Sequence, residues 1–156
     1  MDCRIRPSDQ HGFTLLELVM VMIIIGVLAA VAAPRWSLND ATVHAQAAQV
    51  ARDIRHVQML AMSQGRTLTF QSLGNGYRCT DAASAVIIDP AAQQPFNVSL
   101  SDGVSLSAGS VSFDSLGRPV SGGNPIASAT AYTVAGAAQS ASITIAPVTG
   151  FVAVNP

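Results

Sequence analysis

One carboxylate in this 156-residue chain stands where a carboxylate is costly. Glu17 lies within Phe13-Thr14-Leu15-Leu16-Glu17-Leu18 and is followed by an uncharged apolar run from Leu18 to Ala33. A charge inside such a stretch is unfavourable in lipid unless it finds a partner, so it reads as functional by default. The alternative is an ordinary signal-anchor helix with Glu17 at the level of the headgroups. Other chemistry has no footing in the pattern. His11, His44 and His56 form no His-Glu-x-x-His motif and have no carboxylate at metal-ligand spacing. There is no Cys-x-x-Cys, nucleophile elbow or phosphate loop, and no Ser, His, Asp order suggests a triad. Neither an enzyme nor a cofactor or metal is expected. Asn97-Val98-Ser99 matches a glycosylation sequon, a pattern too common to weigh.

Gly12, Phe13 and Glu17, with Gly26 and Pro34 further along the same helix, resemble the processing site and N-terminal helix of type IV pilins and type II secretion pseudopilins. A short polar leader, a glycine, an aromatic, an acid at fixed distance and a long apolar run coincide. The resemblance implies that a prepilin peptidase cuts between Gly12 and Phe13, that Phe13 is then N-methylated, and that Glu17 acts in assembly. Such a cut creates a cationic amine at the end of an apolar helix, and a carboxylate one turn away on a neighbouring subunit could neutralise it. Two charges, each costly alone in lipid, are then stabilised together. Glu17 also falls in the first helical turn, where a negative charge suits the helix dipole. The apolar part is retained after the cut, unlike that of a secretory signal peptide.

These residues need elements to position them. Phe13 to Ala33 is 21 residues, about enough for a helix to cross a hydrocarbon core of roughly 30 Å. The expected organisation is a leader at 1–12, a transmembrane helix at 13–34, an amphipathic helix at 35–65 and a β-rich domain at 66–156. Arg4 and Arg6 precede the apolar run, which favours an N-in orientation in the inner membrane with the C-terminal domain in the periplasm. Pro34 removes a helix hydrogen bond, so a kink is expected near Ala30 to Pro34. Arg35 and Trp36 follow as an interfacial pair, and Asp40 is a candidate N-cap. From Ala41 to Gln64, Val43, Ala47, Val50, Ile54, Val57 and Ala61 step by four and three along one stripe. Leu60 and Met59 widen it, and Gln46, Gln49, Arg52, Asp53, Arg55 and His56 decorate the other faces. Gly65 suits the stop. Continuous, the two helices would make a rod of about 78 Å.

The stripe should pack on a sheet. Thr67 to Leu73 and Gly76 to Thr80 flank Gly74-Asn75-Gly76, a hairpin signal. β-rich runs follow at Ala85–Ile88, Val98–Leu106, Ser110–Asp114, Tyr132–Ala135, Ala141–Ala146 and Phe151–Val154, with an exposed loop expected at Ser121 to Ser128. One long helix followed by strands indicates an α+β fold with antiparallel sheets. Lysine is absent, and beyond Glu17 six Arg balance six Asp, which gives no strong steering of nucleic acid. Cys3 belongs to the leader, which leaves Cys79 as a buried small hydrophobe or as one half of an intermolecular bridge.

The hairpin, the stretch Phe113-Asp114-Ser115-Leu116-Gly117-Arg118-Pro119 and the ending Ile143 to Val152 are similar to the GspH/FimT group of minor pilins and to MshC-type minor prepilins. This implies a minor pilin or pseudopilin of a type IV (MSHA-like) pilus or a type II secretion pseudopilus, acting at initiation or the tip. Its implied partners are prepilin peptidase, other pilins or pseudopilins, the inner-membrane assembly platform and membrane lipid. The alternative is a DNA-binding minor pilin for DNA uptake, since some FimT-like proteins use a Gly-Arg-x-Arg element. Here Gly117-Arg118 is followed by Pro119 and Val120, and the second arginine is missing. Arg118, Arg52 and Arg55 are the candidate DNA contacts, against a turn in which Arg118 pairs with a nearby carboxylate and a solvated helix face.

Mass spectrometry of the mature N-terminus checks the processing site. Phe13 is the expected first residue, and any other start in cells with an active peptidase rejects it.

Overall fold

The structure, a computed structural model, describes residues 14–32, 34–101 and 103–155. The chain forms two compact units, one ending at Ser37 and the other Leu38–Pro156.

Helix α1 (Leu15–Ala32) is apolar throughout apart from Glu17. Among the described residues no helix is long and apolar enough to cross a membrane. The 18 residues of α1 rise about 27 Å, and the expected span also counts Phe13 and Ala33, which lie outside the described residues. Ala33 is also part of the stretch where a kink is expected. Helix α2 (Pro34–Gln64) is described from Pro34, so Asp40 is an interior helical residue and not a cap.

Within the second unit α2 folds as its periodicity demands. Val43, Ala47, Val50, Ala51, Ile54, Val57, Leu60 and Ala61 are all buried. Met59 does not join them: at 56 % exposed it points away from the stripe. The helix ends in a Schellman arrangement, with the Gly65 N–H donating to Met62 O and the Arg66 N–H to Ala61 O.

The stripe packs on two antiparallel sheets. The first has the order β5-β2-β1-β7-β8-β9 and comprises β1 (Leu68–Ser72), β2 (Gly76–Thr80), β5 (Asn97–Ser99), β7 (Ser110–Phe113), β8 (Pro119–Ser121) and β9 (Asn124–Pro125). The second has the order β12-β11-β10-β6, from β6 (Ser105–Leu106), β10 (Thr130–Ala135), β11 (Ser140–Ile145) and β12 (Val152–Asn155). A short ribbon, β3 (Ile88–Asp89) with β4 (Gln94–Pro95), stands apart. Alternation places Leu68, Phe70, Tyr77, Cys79, Val111 and Phe113 of the first sheet, and Tyr132, Val134, Ala141, Ile143, Ile145 and Val152 of the second, in one core with α2. Phe70 lies 5.1 Å from Tyr77 and meets Tyr132 edge-on at 5.6 Å, which joins the two sheets. The fold is α+β.

Several strand expectations change. Val98 to Leu106 is two strands in different sheets, β5 and β6, because the chain turns between them with Gly103 at φ 80°. Ala85 to Ile88 reduces to a bridge between Thr80 and Val86 and the start of β3. The loop at Ser121 to Ser128 is mostly exposed but contains β9. In the first hairpin Gly74 takes the positive φ, 86°, while Gly76 serves close approach: a Cβ there would stand 2.5 Å from Val98 O.

Burial separates two helix positions of similar hydrophobicity. Ile54→Ala should lower stability by about 2–5 kcal/mol, whereas Met59→Ala should stay within about 0.5 kcal/mol. Urea unfolding of the detergent-solubilised chain, followed through tyrosine circular dichroism, reads both; equal costs would misplace the core face.

Candidate functional site

The N-terminal site is built on the first turn of α1. Thr14 is the N-cap: the Glu17 N–H donates to Thr14 O at 3.0 Å and to Thr14 Oγ1 at 3.3 Å, and the Leu18 N–H donates to Thr14 O at 3.2 Å. Thr14-x-x-Glu17 is capping-box spacing, a signal present in the sequence beside the charge argument. Every large apolar side chain of α1 from Leu15 to Leu28 is exposed, from 46 % at Val19 to 81 % at Leu15. A helix that is apolar all round and uncovered by its own chain requires lipid or other helices around it. A side chain at Gly26 would touch nothing within 4 Å, so the fold of this chain does not require a glycine there. Gly12 and Phe13, the expected cleavage pair, lie outside the described residues.

Hydrogen bonds carry the candidate arginines to different partners. Arg118 is held by Asp114, with Nε at 2.9 Å and Nη2 at 2.8 Å from Oδ2, in a turn where Gly117 has φ 77°. That turn packs on α2 so closely that a Cβ at Gly117 would lie 2.8 Å from Met62 Sδ. Arg55 donates to the Val152 carbonyl at 2.7 Å, which ties α2 to β12. Arg52 is exposed.

Contacts that the helix pattern did not signal lie on the polar flank of α2. Gln58 Nε2 donates to Gly117 O at 2.7 Å and to Thr149 O at 3.2 Å, clamping the β7–β8 and β11–β12 turns to the helix. Tyr77 OH donates to Asp53 Oδ2. Burial, then the hydrogen bond to Asp53 and the charge of Asp53, push the Tyr77 phenol far above its ordinary range. His56 Nε2 lies 3.2 Å from Asp89 Oδ1, and its ring stacks on Phe96 at 5.9 Å. Asp53 and His56, expected on a solvated face, instead line an open cleft of about 220 Å³ with Asp89, Gln94, Phe96 and Asn97. Cys79 is fully buried, and burial pushes its thiol up to about 12. It is therefore an inert small hydrophobe in the folded domain and not one half of a bridge. Among the described residues no group of three or more His, Cys, Asp or Glu side chains could hold a metal ion.

The chain matches the prokaryotic N-terminal methylation motif over residues 7–33. No curated protein is matched. Two crystal structures of the type IV minor pilin FimU of Pseudomonas aeruginosa PAO1 share the fold. In space group P21 the identity is 13 % and the TM-score 0.55, covering 73 % of this chain and 88 % of FimU. In space group P65 they are 15 % and 0.54, with 72 % and 92 % covered. The chain thus carries the methylation motif at residues 7–33 and, over about three-quarters of its length, shares the fold of these two structures.

The Asp114 turn makes a pH-dependent contribution. Burial alone would raise the Asp114 carboxyl, but the backbone N–H and guanidinium of Arg118 and the N–H of Leu116 hold it below its ordinary value. A depressed carboxylate stabilises the fold above its unfolded pKa, near 3.8, and that contribution is lost as pH falls through the lower folded value. Asp114→Asn should cost about 0.5–1.5 kcal/mol near neutrality, and the gap from wild type should narrow as pH falls below 3.8. Urea midpoints of both proteins across that range measure it; a gap that widens in acid would reverse the sign.

Proposed function

We propose that the protein is a minor pilin or pseudopilin, a structural subunit and not an enzyme. In this reading prepilin peptidase removes residues 1–12, α1 holds the subunit in the inner membrane with Leu38–Pro156 in the periplasm, and the inner-membrane assembly platform inserts it among other pilins. Pro34 is the place where the helix bends, and the filament is a type IV, MSHA-like pilus or a type II secretion pseudopilus, joined at initiation or the tip. The observation that carries the reading is a single carboxylate, Glu17, in the capped first turn of an otherwise apolar helix exposed from Leu15 to Leu28, within the methylation motif. Such a helix needs an apolar medium, and its one charge needs a cation that the described part of α1 does not contain. The amine created at Phe13 of a neighbouring subunit is that cation.

DNA binding has weaker support, because Arg118 is engaged by Asp114 and Arg55 by Val152 O.

Two substitutions separate charge from capping. Glu17→Gln removes the charge and keeps a residue suited to the third helical position, whereas Glu17→Ala removes both. Each variant should be processed, keep a folded periplasmic domain and accumulate in the membrane, yet be at least tenfold depleted from sheared filaments, on the order of one lost buried ion-pair partner. Immunoblots of membrane and filament fractions decide the matter, and normal entry of Glu17→Gln into filaments would rule out the pairing.

A further inference from the structure

Residues 81–96 leave the first sheet after β2 and return at its edge as β5. They are anchored at their base. The Ile87 N–H donates to Cys79 O, the Cys79 N–H to Phe96 O and the Phe96 N–H to Ile87 O, at 2.8–3.0 Å, and the Ile87 and Phe96 side chains are buried. Beyond that base the ribbon has two residue pairs, Ile88 with Pro95 and Asp89 with Gln94, and the tip at 90–93 is exposed. Its ties to α2 converge on His56, through the hydrogen bond to Asp89 and the stack on Phe96. Beside that contact lies the 220 Å³ cleft, so ribbon and helix are not close-packed there.

We propose that the ribbon at 88–95 is a strap that opens and closes against α2 about its anchored base, with His56–Asp89 as its pH-sensitive latch: the imidazolium holds the strap and the neutral ring loosens it. The charges around the ring favour this assignment. His56 shares the cleft with Asp89 of the strap and with Asp53 of its own helix, which accepts from Tyr77. On the same helix Arg52 is exposed, while Arg55 is engaged by Val152 O. At the strap's foot Arg66 lies 3.8 Å from Asp81, and β5 contributes the uncharged Asn97 and Val98 to the cleft. A proton on His56 therefore adds attraction to two carboxylates, only one of which moves with the strap. Histidine changes charge between about pH 5 and 8, so the added attraction is present at the lower end and is lost as pH rises.

Amide exchange of the full chain in detergent micelles, normalised to unstructured peptide rates, tests the latch at about pH 6 and about pH 8. Protection of residues 88–94 should fall about two- to fivefold on going to the higher pH, the size expected of a partly exposed ion pair. Protection at Tyr132 and Ile143 should not change. In His56→Gln and Asp89→Asn the ratio should approach one. A wild-type ratio of one, or an unchanged ratio in either variant with β10 and β11 still protected, overturns the proposal. Should the variants lose that core protection, about 1 M salt on the wild type takes their place, since screening must shrink the ratio and an unshrunk ratio overturns the latch.

Discussion

How closely α2 can approach two sheets at once decides the rest of this fold. Its buried stripe carries three alanines, Ala47, Ala51 and Ala61, among valines and Ile54, so the helix face is shallow. The sheets supply the volume: Phe70, Tyr77, Phe113 and Tyr132 are the largest fully buried side chains. Small residues on the helix against large ones on the strands is one way to fill space at crystal-like density with few aromatics. A chain that is only 5 % aromatic builds a single core because those rings are concentrated where both sheets meet the helix. The close approach also explains the tight glycines. The Gly117 turn lies against Met62, and a Cβ at Gly136 would meet Val43 at 2.5 Å.

What the sequence disclosed follows the same division. The α2 stripe was legible because six positions repeat at helical spacing and nothing on the sheets competes for them. The strands β10 and β11 were legible because their buried residues alternate over six positions each. Strands of two residues, such as β3, β4 and β9, carry too few positions for any period to register. The split of 98–106 was hidden because its apolar residues, Val98, Leu100, Val104 and Leu106, suit one strand, and only the turn at Gly103 places Val98 and Leu106 in different sheets. For the functional residues, Glu17 stood out by contrast with its surroundings, and its Thr14 cap lay at a readable spacing. The ties of Asp53, His56 and Gln58 were not legible, since a polar residue on a helix looks the same whether it faces water or a strap.

Those polar ties do what the modest core alone does not. Gln58 joins two turns to α2, Arg55 ties it to β12, and Asp53 meets the buried Tyr77. The Gly117 and Val152 carbonyls and the Tyr77 hydroxyl are part-buried, and these bonds supply them with partners. The near balance of Arg and Asp is thus spent locally, in contacts such as Arg118 with Asp114 and Arg66 with Asp81, and leaves no broad field for a polyanion.

Helix α1 stands under the opposite condition. The second unit buries a core of its own, whereas every large apolar side chain of α1 from Leu15 to Leu28 is exposed, so that surface specifies a medium and not a partner. Uniform apolarity also specifies no register: an all-apolar helix sliding along a similar one exchanges one set of equivalent contacts for another. Within α1 the only polar side chain is Glu17, fixed in height by the Thr14 cap. A charge that is costly anywhere except against its partner makes one axial position far better than its neighbours. If α1 packs against like helices as proposed, one carboxylate would set position along the helix axis, while the apolar residues would supply attraction at every position.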